Sequence, residues 1–174
     1  MWTKFLAFLA VLALFAVVWL YTREFHVLSN TIAGNRLVWG ALSFGALFSV
    51  ALIWFFRQRF KPWEKHRPEV FLLFFSLTLI MPLLASLLNR SGGAIQHRSF
   101  VFLSEKPFAE AGYGVLKGEV LKPTGYFLLV KDHAGNAHRF RYKQQAYYPM
   151  TKAGEAVLLP MRKGLLGFEY LDLD

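Results

Sequence analysis

Leu37-Val-Trp-Gly-Ala-Leu-Ser-Phe-Gly-Ala-Leu-Phe-Ser-Val-Ala-Leu-Ile-Trp-Phe-Phe56 is an unbroken apolar run with no charged residue. Its length matches the ~20 residues that carry an α-helix across the ~30 Å hydrocarbon core of a bilayer. Two further runs flank it, Phe5 to Thr22 and Val70 to Leu88, and neither contains Asp, Glu, Lys, Arg or His. Continuous apolarity without alternation is the pattern of a helix, not of a lipid-facing barrel strand, and only helices and closed barrels satisfy their backbone hydrogen bonds inside lipid. The expected membrane region is residues 1–90, a multi-pass unit with three transmembrane helices at about 5–22, 37–56 and 70–88. The first run has a short basic start at Lys4 but a long core and no small-x-small cleavage site, so it reads as an uncleaved anchor.

The composition agrees with a lipid environment. Apolar residues make up 55% of the chain and Phe alone occurs 18 times, an excess that a bilayer accounts for. Trp19, Tyr21, Trp39, Trp54 and Trp63 fall near the ends of the runs, where amphipathic rings favour the headgroup region. With no cysteine in the sequence, disulfides, thiolate metal sites and cysteine nucleophiles are excluded. The net charge of +9 sits largely beside the apolar runs and reads as a topology signal.

Orientation follows from the flanks. The loop after the second run carries Arg57, Arg59, Lys61, Lys65 and Arg67, against only Arg23 and Arg36 in the loop before it. Short basic loops stay cytoplasmic, which places the N-terminus inside and the C-terminal domain outside. Arg90 and Arg98 follow the third run, but a domain of that length translocates largely regardless of its charge. The expected location is the bacterial cytoplasmic (inner) membrane, with the C-terminal domain periplasmic or extracellular.

Runs without an ionisable group weigh against an ion or proton pathway within one chain. Ala41, Gly45 and Ser49 recur every four residues and form a candidate helix-packing stripe, facing either this chain's own helices or another subunit. Pro82 removes one helical hydrogen bond from the third run and predicts a kink. Arg57, Arg59, Lys61, Trp63, Lys65 and Arg67 form a candidate membrane-surface segment, whose cations suit an anionic leaflet while Trp63 and Phe60 dip into the interface. A loop pinned between two spans is poorly placed to bind nucleic acid, and no such partner is expected.

Beyond a short linker at residues 91–97 the period changes, and residues 98–174 read as a small all-β domain. Strands are expected near Ser99 to Leu103, Gly114 to Leu121, Tyr126 to Lys131, Ala137 to Tyr142, Ala156 to Pro160 and Leu165 to Leu171. Lys122 to Gly125, Asp132 to Asn136 and Lys152 to Glu155 read as turns. Such strands suit an OB/SH3-like barrel or a curled antiparallel sheet; a helix at Gln144 to Thr151 is an alternative that Tyr147-Tyr148-Pro149 argues against. Several spans followed by a small β-barrel resemble the NfeD-like membrane proteins, in which an OB-type domain follows the helices. The resemblance is of architecture and carries no residue role.

Catalytic constellations are not evident. His133 and His138 flank a turn without a third ligand beyond Asp132, so no metal or cofactor is expected. Ser99 and Ser104 lack a nucleophile-elbow context. Glu105, Glu110 and Glu119 share no spacing that pairs them as acid and base, and Gly112-Tyr113-Gly114 reads as a turn. Arg139, Arg141 and Lys143 alternate along one strand and form a candidate partner-docking face, with Phe140 and Tyr142 on the opposite face. The expectation is a non-enzymatic accessory or scaffold protein whose partners are the lipid bilayer and another membrane protein or further copies of itself. A channel or transporter subunit is the alternative, followed by a membrane-bound enzyme acting on lipid or envelope polymer.

Overall fold

A computed structural model describes residues 2–109, 123–143 and 145–172, with side chains from residue 15 onward. The expected strand at Gly114 to Leu121, the turn at Gly112 to Gly114, and the carboxylates Glu110 and Glu119 lie outside the described residues. The chain divides into two compact units, a helical one (Met1–Leu28, Ala33–Gly92, Gly164–Phe168) and a β one (Ser29–Ile32, Gly93–Lys163, Glu169–Asp174).

The helical unit contains α1 (Trp2–Ser29), α2 (Gly34–Phe55) and α3 (Arg67–Arg90), with one 3₁₀ turn at Trp63–His66 before α3. Among the described residues two segments, Gly34–Phe55 and Trp63–Arg90, are long and apolar enough to cross a membrane, which matches the second and third of the three expected spans. Each of the three helices outruns its apolar core. In α1 the helix continues through Arg23 and Glu24 to Ser29, because no proline or glycine stops it. The first turn of α3 carries Pro68 and Glu69 and its last turn Arg90, a charge order that complements the helix dipole. Pro82 lies inside α3 and leaves the Thr78 carbonyl without its helical donor. The outward faces of α2 and α3 are apolar, with Trp39, Leu47, Phe55, Phe71 and Leu72 each more than 60% exposed.

The β unit is a curled five-stranded antiparallel sheet, a half-barrel in the order β3-β2-β1-β4-β5. Its strands are β1 (Ile95–Phe108), β2 (Gly125–Lys131), β3 (Ala137–Tyr142), β4 (Ala156–Lys163) and β5 (Glu169–Leu171). The curl has a local origin in β1, the longest strand. Ile95 to Val101 pair with β4, Val101 to Phe108 pair with β2, and the β2 register shifts between Phe102 and Ser104. An extra residue at such a bulge bends and twists the strand, which lets one strand serve two neighbours facing different ways.

Alternation then builds the core. Phe100 and Phe102, Leu128 and Val130, Phe140 and Tyr142, and Val157, Leu159 and Met161 all point inward, with Leu171 from β5. The β2–β3 hairpin turns at the expected place, where Asn136 N–H donates to Asp132 Oδ1 at 2.8 Å and Gly135 takes φ 91°.

Besides longer elements, with α1 at Trp2–Ser29, β1 reaching Phe108 and β4 reaching Lys163, three sequence expectations differ from the structure. β1 begins at Ile95, inside the stretch read as a linker, because Ile95, Gln96 and His97 pair with Arg162, Met161 and Pro160. The strand expected over Leu165 to Leu171 is cut to Glu169–Leu171, since Gly164–Phe168 belongs to the helical unit. There the Leu165 N–H donates to the Asn89 carbonyl at 3.0 Å, the Leu166 N–H to Asn89 Oδ1 at 3.2 Å, and Asn89 Nδ2 to the Phe168 carbonyl at 3.1 Å. A Cβ at Gly164 would lie 2.3 Å from the Asn89 carbonyl oxygen, so only glycine fits.

The third difference concerns Ser29–Ile32, the connection between α1 and α2, which joins the sheet. The Leu171 N–H donates to the Asn30 carbonyl at 3.0 Å, and the Ile32 N–H to the Glu169 carbonyl at 2.7 Å, along the free edge of β5. The Asn30 side chain turns to the opposite edge, accepting from the Arg141 N–H at 2.7 Å and donating to the Arg141 carbonyl at 2.6 Å. One residue thus links both edges of the half-barrel, and its amide occupies the place of a strand partner on β3.

Candidate functional site

The docking face proposed from strand alternation lies on the outer side of β2 and β3. Phe127 pairs across the ladder with Arg141, and Leu129 with Arg139. Phe108 at the end of β1 meets Phe127 with ring centroids 4.6 Å apart. The Arg141 guanidinium lies over the Phe108 ring at 4.4 Å and that of Arg139 over Phe127 at 5.1 Å. Each cation is held by a ring face, an interaction worth ~0.5–1 kcal/mol at an exposed site. Arg139 is exposed, whereas Arg141 is half-buried with its Nε out of contact with solvent; ring contact restricts both guanidiniums, so less side-chain entropy is lost when an acidic group binds them. Lys143 lies one residue beyond the end of β3, exposed and outside this stacked arrangement. Phe140 and Tyr142 are buried in the core on the other face.

The helix-packing stripe lies against α3. A Cβ on Gly45 would lie 2.8 Å from Met81 Cγ and 3.1 Å from Thr78 Cα, so a side chain here requires Met81 or the α3 backbone to shift. Ser49 is fully buried, and its hydroxyl donates to the Gly45 carbonyl at 2.6 Å, with the Phe74 carbonyl of α3 3.4 Å away as the alternative acceptor. Ala41 is half-buried and lines an apolar groove of about 480 Å³ with Arg36, Phe44 and Met81.

In the connection between α2 and α3, Arg57, Arg59, Lys61, Trp63, Lys65 and Arg67 are all exposed. Arg57 is not isolated from the rings, since its guanidinium sits 5.1 Å from the Trp54 ring centroid. Arg57, Arg67, Trp54 and Trp63 border a second apolar groove between α2 and α3.

The other polar residues singled out in the sequence lie in the β unit. His138 Nε2 lies 3.1 Å from Asp132 Oδ2 while His133 is exposed, and the described residues contain no group of three metal-type side chains. Hydrogen bonds from Asn136 and then His138 hold the Asp132 carboxyl well below the usual carboxylate range. Glu105 accepts from the Tyr147 N–H at 3.0 Å and the Tyr148 N–H at 3.2 Å, so its carboxylate ties β1 to the segment after β3. Ser104 is half-buried in β1, and Ser99 borders a cavity of about 300 Å³ with Arg98, Asp132 and His133. Burial pushes the Tyr148 hydroxyl up, and it donates to the Leu158 carbonyl at 2.9 Å.

Sequence reading missed three polar residues that organise the molecule: Glu24, Asn30 and Asn89. Glu24 is 1% exposed, accepting from the Ser86 hydroxyl at 2.8 Å and pairing with Arg90 at 2.6 Å. Tyr21, one turn earlier in α1, donates to the Leu79 carbonyl. The available signal was an acidic residue directly after an apolar run and a basic one directly after another. No family model, curated protein or solved structure matches this chain.

Proposed function

We propose that this chain is a multi-pass membrane accessory protein whose helices anchor a β-module that docks another membrane protein through an acidic surface. The observation that carries the reading is the stacked pair Arg139 over Phe127 and Arg141 over Phe108, a preordered cationic and aromatic face. Aromatic residues and arginine are the types most enriched where protein interfaces concentrate their binding energy. The apolar outward faces of α2 and α3 support the membrane setting, because lipid solvates surfaces that water does not.

A three-span arrangement is part of the proposal. Ser29–Ile32 and residues 93–163 belong to the same sheet unit. The ends of α1 and α3 and the start of α2 therefore lead to one side of the bilayer, and the basic connection after α2 lies on the other. Positive charge keeps that connection cytoplasmic, with the N-terminus beside it and the β-module in the periplasm or outside the cell. Residence in a bacterial inner membrane is part of the same proposal.

The test is affinity purification of the tagged full-length chain in mild detergent, alongside the double variant Arg139→Glu, Arg141→Glu. A stoichiometric membrane-protein partner that is lost in the variant, and released by raised salt from the wild type, supports the reading. Purification of the chain alone and monodisperse, or a partner retained equally by the variant, overturns it.

A further inference from the structure

We infer that the groove between α2 and α3 at their basic end binds one anionic diacyl phospholipid, its phosphate on Arg57 and Arg67 and an acyl chain between the helices. The inference rests on the membrane reading above and adds a selective site to it. The groove has a volume of about 610 Å³, within the ~300–1,000 Å³ typical of small-molecule sites. Val50, Ile53 and Phe74 form its apolar walls. Its charged wall residues are Arg57 and Arg67, and no carboxylate lines it, although Glu64 and Glu69 lie in the same stretch of chain. An occupant must therefore be apolar along its length and anionic at one end, which is the chemistry of an anionic lipid and not of a helix or a soluble anion.

Two arginines on a groove rim suit a phosphodiester, because guanidinium groups match phosphate geometry in two-point hydrogen bonds. Trp54 and Trp63 also border this end, and indole rings favour headgroup depth. Trp54 carries the Arg57 guanidinium on its face, which orders the cation before any ligand arrives. The apolar groove toward the other end of the same helices, about 480 Å³, has a single cation, Arg36, and lacks this paired arrangement. The proposed topology puts Arg57 and Arg67 at the cytoplasmic leaflet, whose surface potential is negative.

The experiment is native mass spectrometry of the full-length chain in detergent, supplied with equal amounts of a phosphatidylglycerol and a phosphatidylcholine of the same acyl composition. The expected result is one retained phosphatidylglycerol. Its occupancy falls about tenfold in Arg57→Gln, Arg67→Gln, and by less than about twofold in the charge-matched Lys61→Gln, Lys65→Gln, which removes only general surface charge. Val50→Trp, which fills the groove and leaves both cations, also lowers retention. Equal retention of both lipids, or an equal loss in the lysine variant, overturns the site in favour of general surface charge. Alkaline carbonate extraction of cell membranes separates the two levels. A chain that stays in the pellet but shows no lipid preference loses only this inference, whereas a chain that is extracted loses the membrane reading as well.

Discussion

Asn30 shows how much structure one side chain can decide. Its amide satisfies both backbone groups of Arg141, while its own carbonyl accepts from Leu171. Replacement by Ala leaves the Arg141 N–H and carbonyl without these partners, at a cost of ~1–3 kcal/mol for a buried unsatisfied pair. Asn30→Ala is expected to lower the urea midpoint of the β-unit transition, followed by near-ultraviolet circular dichroism of the full chain in detergent. Asp132 sets a pH dependence. Its carboxyl is depressed in the folded state from its ordinary value of 3.8, first by the Asn136 and then by the His138 hydrogen bond. A depressed carboxylate contributes stability that is complete above the unfolded value and is lost as pH falls toward the folded one. Thermal melts from pH 6 to pH 3 check this. Asp132→Ala should melt lower than the wild type at pH 6, and the gap should narrow below about pH 4.

The α2–α3 contact argues for two contrasting substitutions at the scale of elements. Gly45 meets Met81 and the backbone of Thr78, whereas a side chain at Gly40 would meet nothing within 4 Å. Gly45→Leu must push the helices apart, and overpacking of this kind costs ~1–3 kcal/mol or more. Gly40→Leu should leave stability unchanged or raise it, because a helical glycine costs ~1 kcal/mol relative to ordinary residues. Detergent melting temperatures of the two variants read the difference directly. The α1–α3 pair has its own asymmetry. Glu24 has a 2% exposed side chain and Arg90 a 36% exposed one. Removing Arg90 strands a buried carboxylate with the Ser86 hydroxyl as its remaining partner, whereas removing Glu24 lets Arg90 turn to solvent. Arg90→Ala should therefore melt lower than Glu24→Ala, and the reverse order would show that the pair contributes little.

For the whole molecule, the two units share the chain in alternating pieces, with Ser29–Ile32 in the β unit and Gly164–Phe168 in the helical one. A truncation at residue 92 would remove the strands that Ser29–Ile32 pairs with, and a fragment starting at residue 93 would leave the β3 and β5 edges without Asn30. Isolated halves are expected to be less stable than the full chain, as exposed strand edges promote association. Topology is tested on the intact chain. Alkaline phosphatase fused after Asp174 should be active and a cytoplasm-restricted fluorescent reporter at the same point dark, whereas the opposite pattern would invert the proposed orientation.

Local patterns made the elements readable from sequence. An uncharged run such as Leu37 to Phe56 has one way to bury its backbone in an apolar setting, and strict alternation in Ala137 to Tyr142 separates Phe140 and Tyr142 from Arg139 and Arg141 without reference to anything distant. The turn at Asp132 to Asn136 is equally local, because its hydrogen bonds span four residues. What tertiary structure alone decided are contacts between residues far apart in sequence. Glu24 with Arg90, Asn30 with Arg141 and Asn89 with Leu166 each unite polar groups whose neighbours in the chain give no hint of a partner. A buried polar group is tolerable only when matched, and the match depends on where the chain returns, not on local propensity.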